Sequence, residues 1–444
     1  MKRNIFHFLL FFAFVISHNL ASQHSKGIHS SNYFPLQNLA NNVADLVLDS
    51  NKMHINAVSA HIYLQNQMLE NESDAAQLIK KIGFSTMNSL MTSIESDTYV
   101  HGRILLPSVS YKLNEKNAFA LSTSIRALGY FAASHKDVTK LFSEANYDQK
   151  MNGLADESLN GVVLTWTELN VSYSRLLIKN DQYSISGGIT LKLIQSGGNG
   201  YVSLNGINLD YNDDKINNFD VDVNYALNDL IYEIGEDGKI KFDGDYAMGA
   251  DIAFSFVKKD DRKTTPYHYK LGVAINDIGG LENRSSAMRS QYHVSIKDMP
   301  YERFNGITTV DQLVDSLNKS VEIYKNEKEG FSLDIPTRFN FYGDYCFTSK
   351  LYINASLSLS RNPYKTLLNV KYSNLFDSSI TPRYETDTWG FFLPLGFHNI
   401  TGFTSGIALK WRYFYIGSTR LISNLFNYDP NKMEAYLGVN IPIN

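Results

Sequence analysis

Seven ionisable side chains are set among apolar ones, where chemistry would be sought: Arg126, Glu168, Lys192, Asp251, Lys270, Lys410 and Arg412. Each falls on the polar side of a stretch that alternates apolar and polar residues, the period of a β-strand. Charges enclosed by such strands either neutralise one another in a polar network or leave a field that steers an anionic ligand. His268, flanked by Tyr267 and Tyr269, is expected on the same enclosed face, but no nearby sequence nominates the Ser partner of a barrel-wall hydrolase. No GxSxG, HExxH, phosphate-loop or dinucleotide fingerprint stands in a usable context. The run Ser196-Gly197-Gly198-Asn199-Gly200 lacks the Lys-Ser/Thr and the helix that let such a loop hold phosphate, and reads as a turn. Asp210, Asp213 and Asp214 lack the central Gly and terminal Glu of a calcium loop, and read as a solvated external loop. A single cysteine, Cys346, excludes an intramolecular disulfide framework and a Cys-based zinc site. No catalytic residue, cofactor or metal is therefore expected.

The elements that would position these charges are long. From Tyr183 to Leu193 one face carries Tyr183, Ile185, Ile189, Leu191 and Leu193, and the other Ser184, Ser186, Gly188, Thr190 and Lys192. The same alternation runs over Leu351 to Ser360, Ile407 to Tyr415 and Ala435 to Asn444. Further candidates lie near 55–64, 99–111, 117–127, 166–178, 219–227, 246–257, 267–275, 290–297, 337–348, 366–374 and 389–398. Segments of this length match the roughly 9–11 residues a strand needs to cross a bilayer at a tilt, whereas sandwich strands average about 5–6. The small polar second face suits a hydrated lumen. Tyr183, Trp411, Tyr413 and Tyr415 near segment ends suit an aromatic girdle, or reflect the ordinary strand preference of aromatics. Pro107, Pro394 and Pro442 each mark a strand edge, a bulge or a misplaced boundary. The expectation is an all-β fold: a transmembrane antiparallel β-barrel of about 14 strands over residues 54–444, with N-terminal and loop helices.

Tight polar links at 114–117, 180–182 and 348–350 contrast with long connections at 128–165, 228–245 and 298–336, as in a barrel with short inner turns and long outer loops. Helical periodicity marks Leu36, Leu39, Ala40, Val43, Leu46 and Val47, then Ala75 to Leu90, then Val310 to Val321 behind Thr308 and Asp311. Such helices would either plug the barrel mouth or pack on its rim, and segment 23–53 is the candidate plug.

Composition bounds the location. Lys2 and Arg3, then an apolar stretch from Ile5 to Ile16 and the small pair Ala21-Ser22, read as a signal peptide over residues 1–22. About 12 apolar residues fall short of the ~20 of a spanning helix. The whole chain carries 41 Lys+Arg against 45 Asp+Glu, and cleavage would leave 39 − 45 = −6. That balance, without a basic run, gives no footprint for nucleic acid. Nothing after the signal approaches 18 consecutive apolar residues, so a membrane-spanning mature chain must be a closed barrel.

The stretches LTWTELNVSYSRLLIKNDQYSISGGITLKLIQSGG (164–198), YKLGVAINDIGG (269–280), LDIPTRFNFYGDY (333–345), SSITPRYETDTWGFFLPLGF (378–397), GIALKWRYFYIGSTRLIS (406–423) and YLGVNIPI (436–443) resemble, in this order, a family of exported outer-membrane β-barrels of unknown function. The likeness runs from about residue 54 to the end. It implies a barrel similar to the fatty-acid-transporter (FadL-type) class, in which an N-terminal segment can block the lumen. Some relatives carry a C-terminal OmpA-like domain; none is expected here, and the family supplies no catalytic residues. The leading expectation is a passive outer-membrane transporter or channel of a Gram-negative bacterium for a small, hydrophobic solute, surrounded by outer-membrane lipid. The alternative is a structural or partner-binding subunit of a secretion or surface-assembly complex, docking through external loops such as 298–336. A soluble secreted β-sandwich or adhesin is a third, weaker reading.

Overall fold

Alternation is satisfied when one face of every strand meets an enclosed interior and the other an apolar surround, and closure of the sheet achieves this. The computed structural model describes residues 26–65, 98–135, 138, 153–212, 215–228, 230, 242, 244–260, 265–284, 287–300, 321–327, 329–361, 374–398, 402–426 and 432–443. Its strand segments join end to end into 14 antiparallel strands. They begin with β1 (Met53–Gln65), β2 (Thr98–Leu105 and Ser108–Asn114, divided at Pro107), β3 (Asn117–Ala133) and β4 (Leu154–Lys179). Next come β5 (Tyr183–Ser196 and Gly200–Asn212), β6 (Lys215–Asn228 and Tyr246–Lys258) and β7 (Tyr269–Asn283 and Ala287–Pro300). β8 has three segments, Val321–Glu327, Phe331–Asp334 and Arg338–Cys346, and is followed by β9 (Leu351–Arg361) and β10 (Asn374–Glu385). The last four are β11 (Trp389–Phe392 and Leu395–His398), β12 (Gly402–Ser405 and Ile407–Trp411), β13 (Phe414–Ser418) and β14 (Lys432–Ile443). Pairing of β1 with β14, from Met53↔Ile443 to Gln65↔Lys432, closes the barrel.

The outer face is apolar on strand after strand: Val171, Leu191, Phe254, Leu409 and Leu437 are each about half exposed. Towards the tight-turn end this belt becomes aromatic, with Trp389 and Trp411 rings 6.2 Å apart and Tyr345 and Phe347 4.8 Å apart. Tyr413 is exposed there, but Tyr415 is buried on the inner face, contrary to its expected place in the girdle. The reason is a hairpin. Ile407 to Tyr415 is not one strand but the end of β12, a turn and the start of β13. Arg412 sits at that turn with φ 51°, exposed, so it is not luminal as the alternation implied. His268 also departs from expectation: its ring meets Tyr345 of the outer girdle at 5.1 Å.

Strands reach beyond the expected boundaries. Residues 128–133 and 154–165 lie within β3 and β4, and 298–300, 321–327 and 331–334 within β7 and β8, so the long connections 128–165 and 298–336 are strand at their flanks. β10 was not expected at all; Pro382, Asp377, Ser378 and Ser379 hide its period, yet it pairs with β9 along its length. The signal segment and the helix expected at 75–90 lie outside the described residues; so do the helix expected at 310–321, except Val321, which is strand and opens β8, and the strand expected at 366–374, except Asn374, which opens β10. Asp213 and Asp214 also lie outside them, while Asp210 is exposed beside the β5–β6 turn.

The Gly-rich run does form a break, between the two segments of β5. Asn199 there donates to Asn283 at 3.1 Å, and Asn228 donates to the same Asn283 oxygen at 2.8 Å. This buried amide knot ties β5, β6 and β7 where all three strands are interrupted.

Candidate functional site

Small residues on the inner wall decide what fills the lumen. Ala118, Ala120, Ser174, Ser186, Gly188, Ala253 and Ala274 line one side of it, leaving room for a chain segment. Residues 26–48 occupy that room as a 3₁₀ turn (Ile28–Ser30), a short helix α1 (Pro35–Asn38) and a second 3₁₀ turn (Val43–Leu48). Leu36, Leu39, Val43, Leu46 and Val47 pack on the wall alanines, so the expected apolar stripe is buried inside the barrel and not on its rim. Segment polar groups find wall partners. Ser174 and Ser186 donate to the Ala44 carbonyl at 3.0 and 2.8 Å, Asn42 donates to the Phe254 carbonyl at 3.2 Å, and Ser255 donates to Asp45 at 2.6 Å. A Cβ on Gly188 would stand 2.8 Å from the Ala44 nitrogen, so the close approach requires glycine.

Beside this segment, towards the outer end, the structure brings four of the seven sequence-selected charges together with two others, one from each of six consecutive strands. Asp277 of β7 is the centre. Arg126 of β3 makes two hydrogen bonds to its carboxylate at 2.7 and 3.0 Å, Lys192 of β5 one at 2.6 Å, and Arg338 of β8 one from Nε at 2.9 Å. Lys192 also meets Asp251 of β6 at 2.8 Å, and Arg126 meets Glu168 of β4 at 3.4 Å. Ser124 donates to Glu168 at 2.7 Å, and the Arg126 guanidinium lies 4.8 Å from the centre of the Trp166 ring. Three cations thus face three carboxylates, all buried, and the arrangement can be stable only while it is complete. Arg338 also donates to the Ala40 carbonyl at 3.3 Å, linking the network to the N-terminal segment.

The alternation did not single out Asp277 or Arg338. Asp277 lies in a bulge between Ile275 and Ile278 with φ 59°, a conformation that Asp tolerates better than most residues, and the bulge breaks the period on which the sequence reading relies. Its only sequence signal is Asn276-Asp277 ahead of the Gly279-Gly280 pair. Lys270 and Lys410 lie apart from the network. The Lys270 Nζ is 3.4 Å from Asp45 of the N-terminal segment. Lys410 is 3.9 Å from Glu385 and 3.7 Å from the centre of the Tyr33 ring.

Near the tight-turn end a second set of contacts holds the same segment. Glu385 accepts from Ser31 and from the Asn32 backbone nitrogen, the latter at 3.1 Å, and Tyr267 donates to Asn32 at 3.1 Å. Arg383 pairs with Asp344, its Nη2 2.9 Å from a carboxylate oxygen. Partial burial, and then the Glu385 carboxylate, push the Tyr33 phenol up from its ordinary value.

Between the ion network and the outer end, the inner face turns apolar and aromatic. Tyr63, Tyr99, Leu128, Tyr130, Leu164 and Trp166 pack together there, Leu164 and Trp166 with no exposed surface. A small cavity of about 30 Å³ lies elsewhere, between the N-terminal segment and the wall near Asn340, Ser356 and Ser358. Among the described residues, no group of three or more His, Cys, Asp or Glu is placed to hold a metal ion.

Fold and site together define a closed β-barrel whose lumen holds its own N-terminal segment beneath a buried ion network. The chain belongs to DUF5723, a family of unknown function, which it matches over residues 45–419. No curated protein matches the sequence. Among solved structures it is similar to the Pseudomonas putida toluene transporter TodX, at 10% identity and TM-score 0.44 over 95% of this chain and 97% of that one. It is also similar to a Pseudomonas aeruginosa FadL homologue, at 10% identity and TM-score 0.40 over 90% and 91%. A third is the Ralstonia pickettii toluene transporter TbuX, at 9% identity and TM-score 0.36 over 90% of each chain.

Proposed function

We propose that the protein is an outer-membrane transporter for a small apolar solute, with residues 26–48 as its plug. The supporting observation is the apolar and aromatic lining around Tyr63, Tyr99, Leu128 and Trp166 on the inner face, where a barrel interior is ordinarily polar. That lining is packed on itself and the plug fills the lumen below it, so passage requires the plug to move. The Ser31, Asn32, Asn42, Ala44 and Arg338 contacts are among those that movement would break.

The test is to lock the plug. An Ala44→Cys, Ser186→Cys pair joins two positions already linked by a 2.8 Å hydrogen bond. Uptake of a radiolabelled monoaromatic tracer into proteoliposomes is expected to fall to the protein-free rate on oxidation and to return on reduction. Unchanged uptake in the oxidised state rejects the plug.

The second reading is a partner-binding subunit, and the mutual pairing of Arg126, Glu168, Lys192, Asp251, Asp277 and Arg338 favours it, because a lumen filled by its own salt bridges need conduct nothing. Mass spectrometry of the protein extracted in mild detergent separates the two. A stoichiometric small molecule supports transport, and a stoichiometric second polypeptide supports assembly.

A further inference from the structure

The plug meets two different walls. Towards β3–β7 it packs on alanines and glycine, in direct contact. Towards β8–β12, where Ile28 and Phe34 pack on Phe392 and Ala408, the inner face also carries a band that is mostly small and polar: Tyr342↔Ser356↔Ser379↔Gly396↔Thr404 form one row across five strands, and Asn354↔Thr381 lie in the next. The Ser356 and Ser379 hydroxyls are 2.7 Å apart. The 30 Å³ cavity opens on this side, lined by Asn41 of the plug and by Asn340, Ser356 and Ser358 of the wall. A cavity of that size has room for at least one water.

Among the described residues, four buried polar atoms along the same interface have no hydrogen-bond partner: Asn41 Oδ1, Asn354 Oδ1, Thr381 Oγ1 and Thr404 Oγ1. A buried polar atom left unsatisfied costs about 1–3 kcal/mol, so a run of them is tolerated where water supplies the bonds. Lys26 lies across this run, paired with Asp377 of β10. A Cβ on Gly396 would stand 2.7 Å from its Nζ, so the ammonium rests directly over the wall.

We propose that the interface between the plug and the β8–β12 wall is a hydrated seam that conducts water and small ions while the plug stays in place, with the Lys26–Asp377 pair as its constriction. The inference rests on reading residues 26–48 as a plug inside a membrane-spanning barrel. The seam runs along the wall opposite Ala44, so ion flow along it does not require the plug to leave.

The experiment is the conductance of the full-length protein in a planar lipid bilayer. Wild type is expected to give a small steady conductance above bare lipid. Lys26→Ala, which leaves the Asp377 carboxylate facing the constriction, raises it several-fold and shifts the reversal potential in a KCl gradient towards cations. Ser356→Leu with Ser379→Leu brings it to the bare-lipid level, while Ser356→Thr retains it. Heat-modified gel mobility establishes that each variant is a folded barrel. Bare-lipid conductance in both wild type and Lys26→Ala overturns the seam, as does an unchanged current in the double leucine variant. The oxidised Ala44→Cys, Ser186→Cys protein separates this from the transport reading. With its plug locked, it keeps the current if the seam exists, and losing the current overturns the seam even where tracer uptake behaves as expected.

Discussion

Replacing Asp277 by Asn tests the ion network with little change of shape. Asn tolerates a positive φ about as well as Asp, so the bulge at φ 59° is retained and the perturbation is electrostatic. In the native protein Arg126, Lys192 and Arg338 share the Asp277 carboxylate at 2.6–3.0 Å. After substitution Lys192 keeps Asp251, Arg126 keeps Glu168 and Arg338 keeps the Ala40 carbonyl, so three buried cations face two carboxylates. Removing one partner of a buried pair costs about 3–5 kcal/mol, and the surviving partners place this case near the lower end. At about 1.4 kcal/mol per decade, a loss of about 3 kcal/mol lowers the folding equilibrium constant roughly 100-fold. The assay is urea unfolding in lipid vesicles, followed by Trp166 fluorescence in a Trp389→Phe, Trp411→Phe background. Adding Arg338→Met removes one of the three cations left around the lost carboxylate, so the double substitution should cost less than the sum of the two singles by about 0.5–3 kcal/mol. An Asp277→Asn protein within about 0.5 kcal/mol of its parent, or strict additivity, refutes the claim that these six residues act as a unit.

Val171→Arg, on the outer face of β4, should destabilise by about 2–4 kcal/mol in vesicles, whereas Phe347→Arg beside the β8–β9 turn should cost about 0–1 kcal/mol. Equal small losses at both positions in the same unfolding assay contradict a bilayer around the belt. Gly188→Val places a Cβ 2.8 Å from the Ala44 nitrogen and 2.9 Å from the Val43 carbonyl carbon, so the second 3₁₀ turn must leave the wall. Limited proteolysis should then cut within residues 26–48 at least tenfold faster while the barrel keeps its heat-modifiable mobility, and an unchanged cleavage rate is the contrary result.

The fold is written in the sequence as alternation, and it is legible where nothing interrupts the period. Tyr183 to Leu193 reads correctly because every second residue is serine, threonine, glycine or lysine against isoleucine and leucine. Reading fails where the wall departs from an even strand. Arg412 reverses the chain without glycine, asparagine or proline, so two strands read as one and an exposed charge reads as enclosed. β10 is polar on its inner face and interrupted by Pro382, and the outer part of β4 carries buried residues on both faces, so neither shows period 2. The site is legible as a set of inward charges but not as a network. Its centre, Asp277, owes its direction to a bulge, and partners on six strands are set by register that no local pattern records. The apolar stripe of residues 36–47 is visible, yet its location depends on wall alanines more than 70 positions downstream.

The N-terminal segment, residues 26–48, precedes β1 in the chain, and its seat is built from β3 to β7 on one side and β8 to β14 on the other. It therefore leaves the ribosome before any part of its seat exists, and the seat is complete only when β14 zips against β1. Only four residues separate the second 3₁₀ turn from Met53, so the segment is tethered at the tight-turn end of the strand that closes the barrel. Full occlusion of the lumen therefore cannot precede circularisation: the ends of the sheet must meet before the segment has all of its walls.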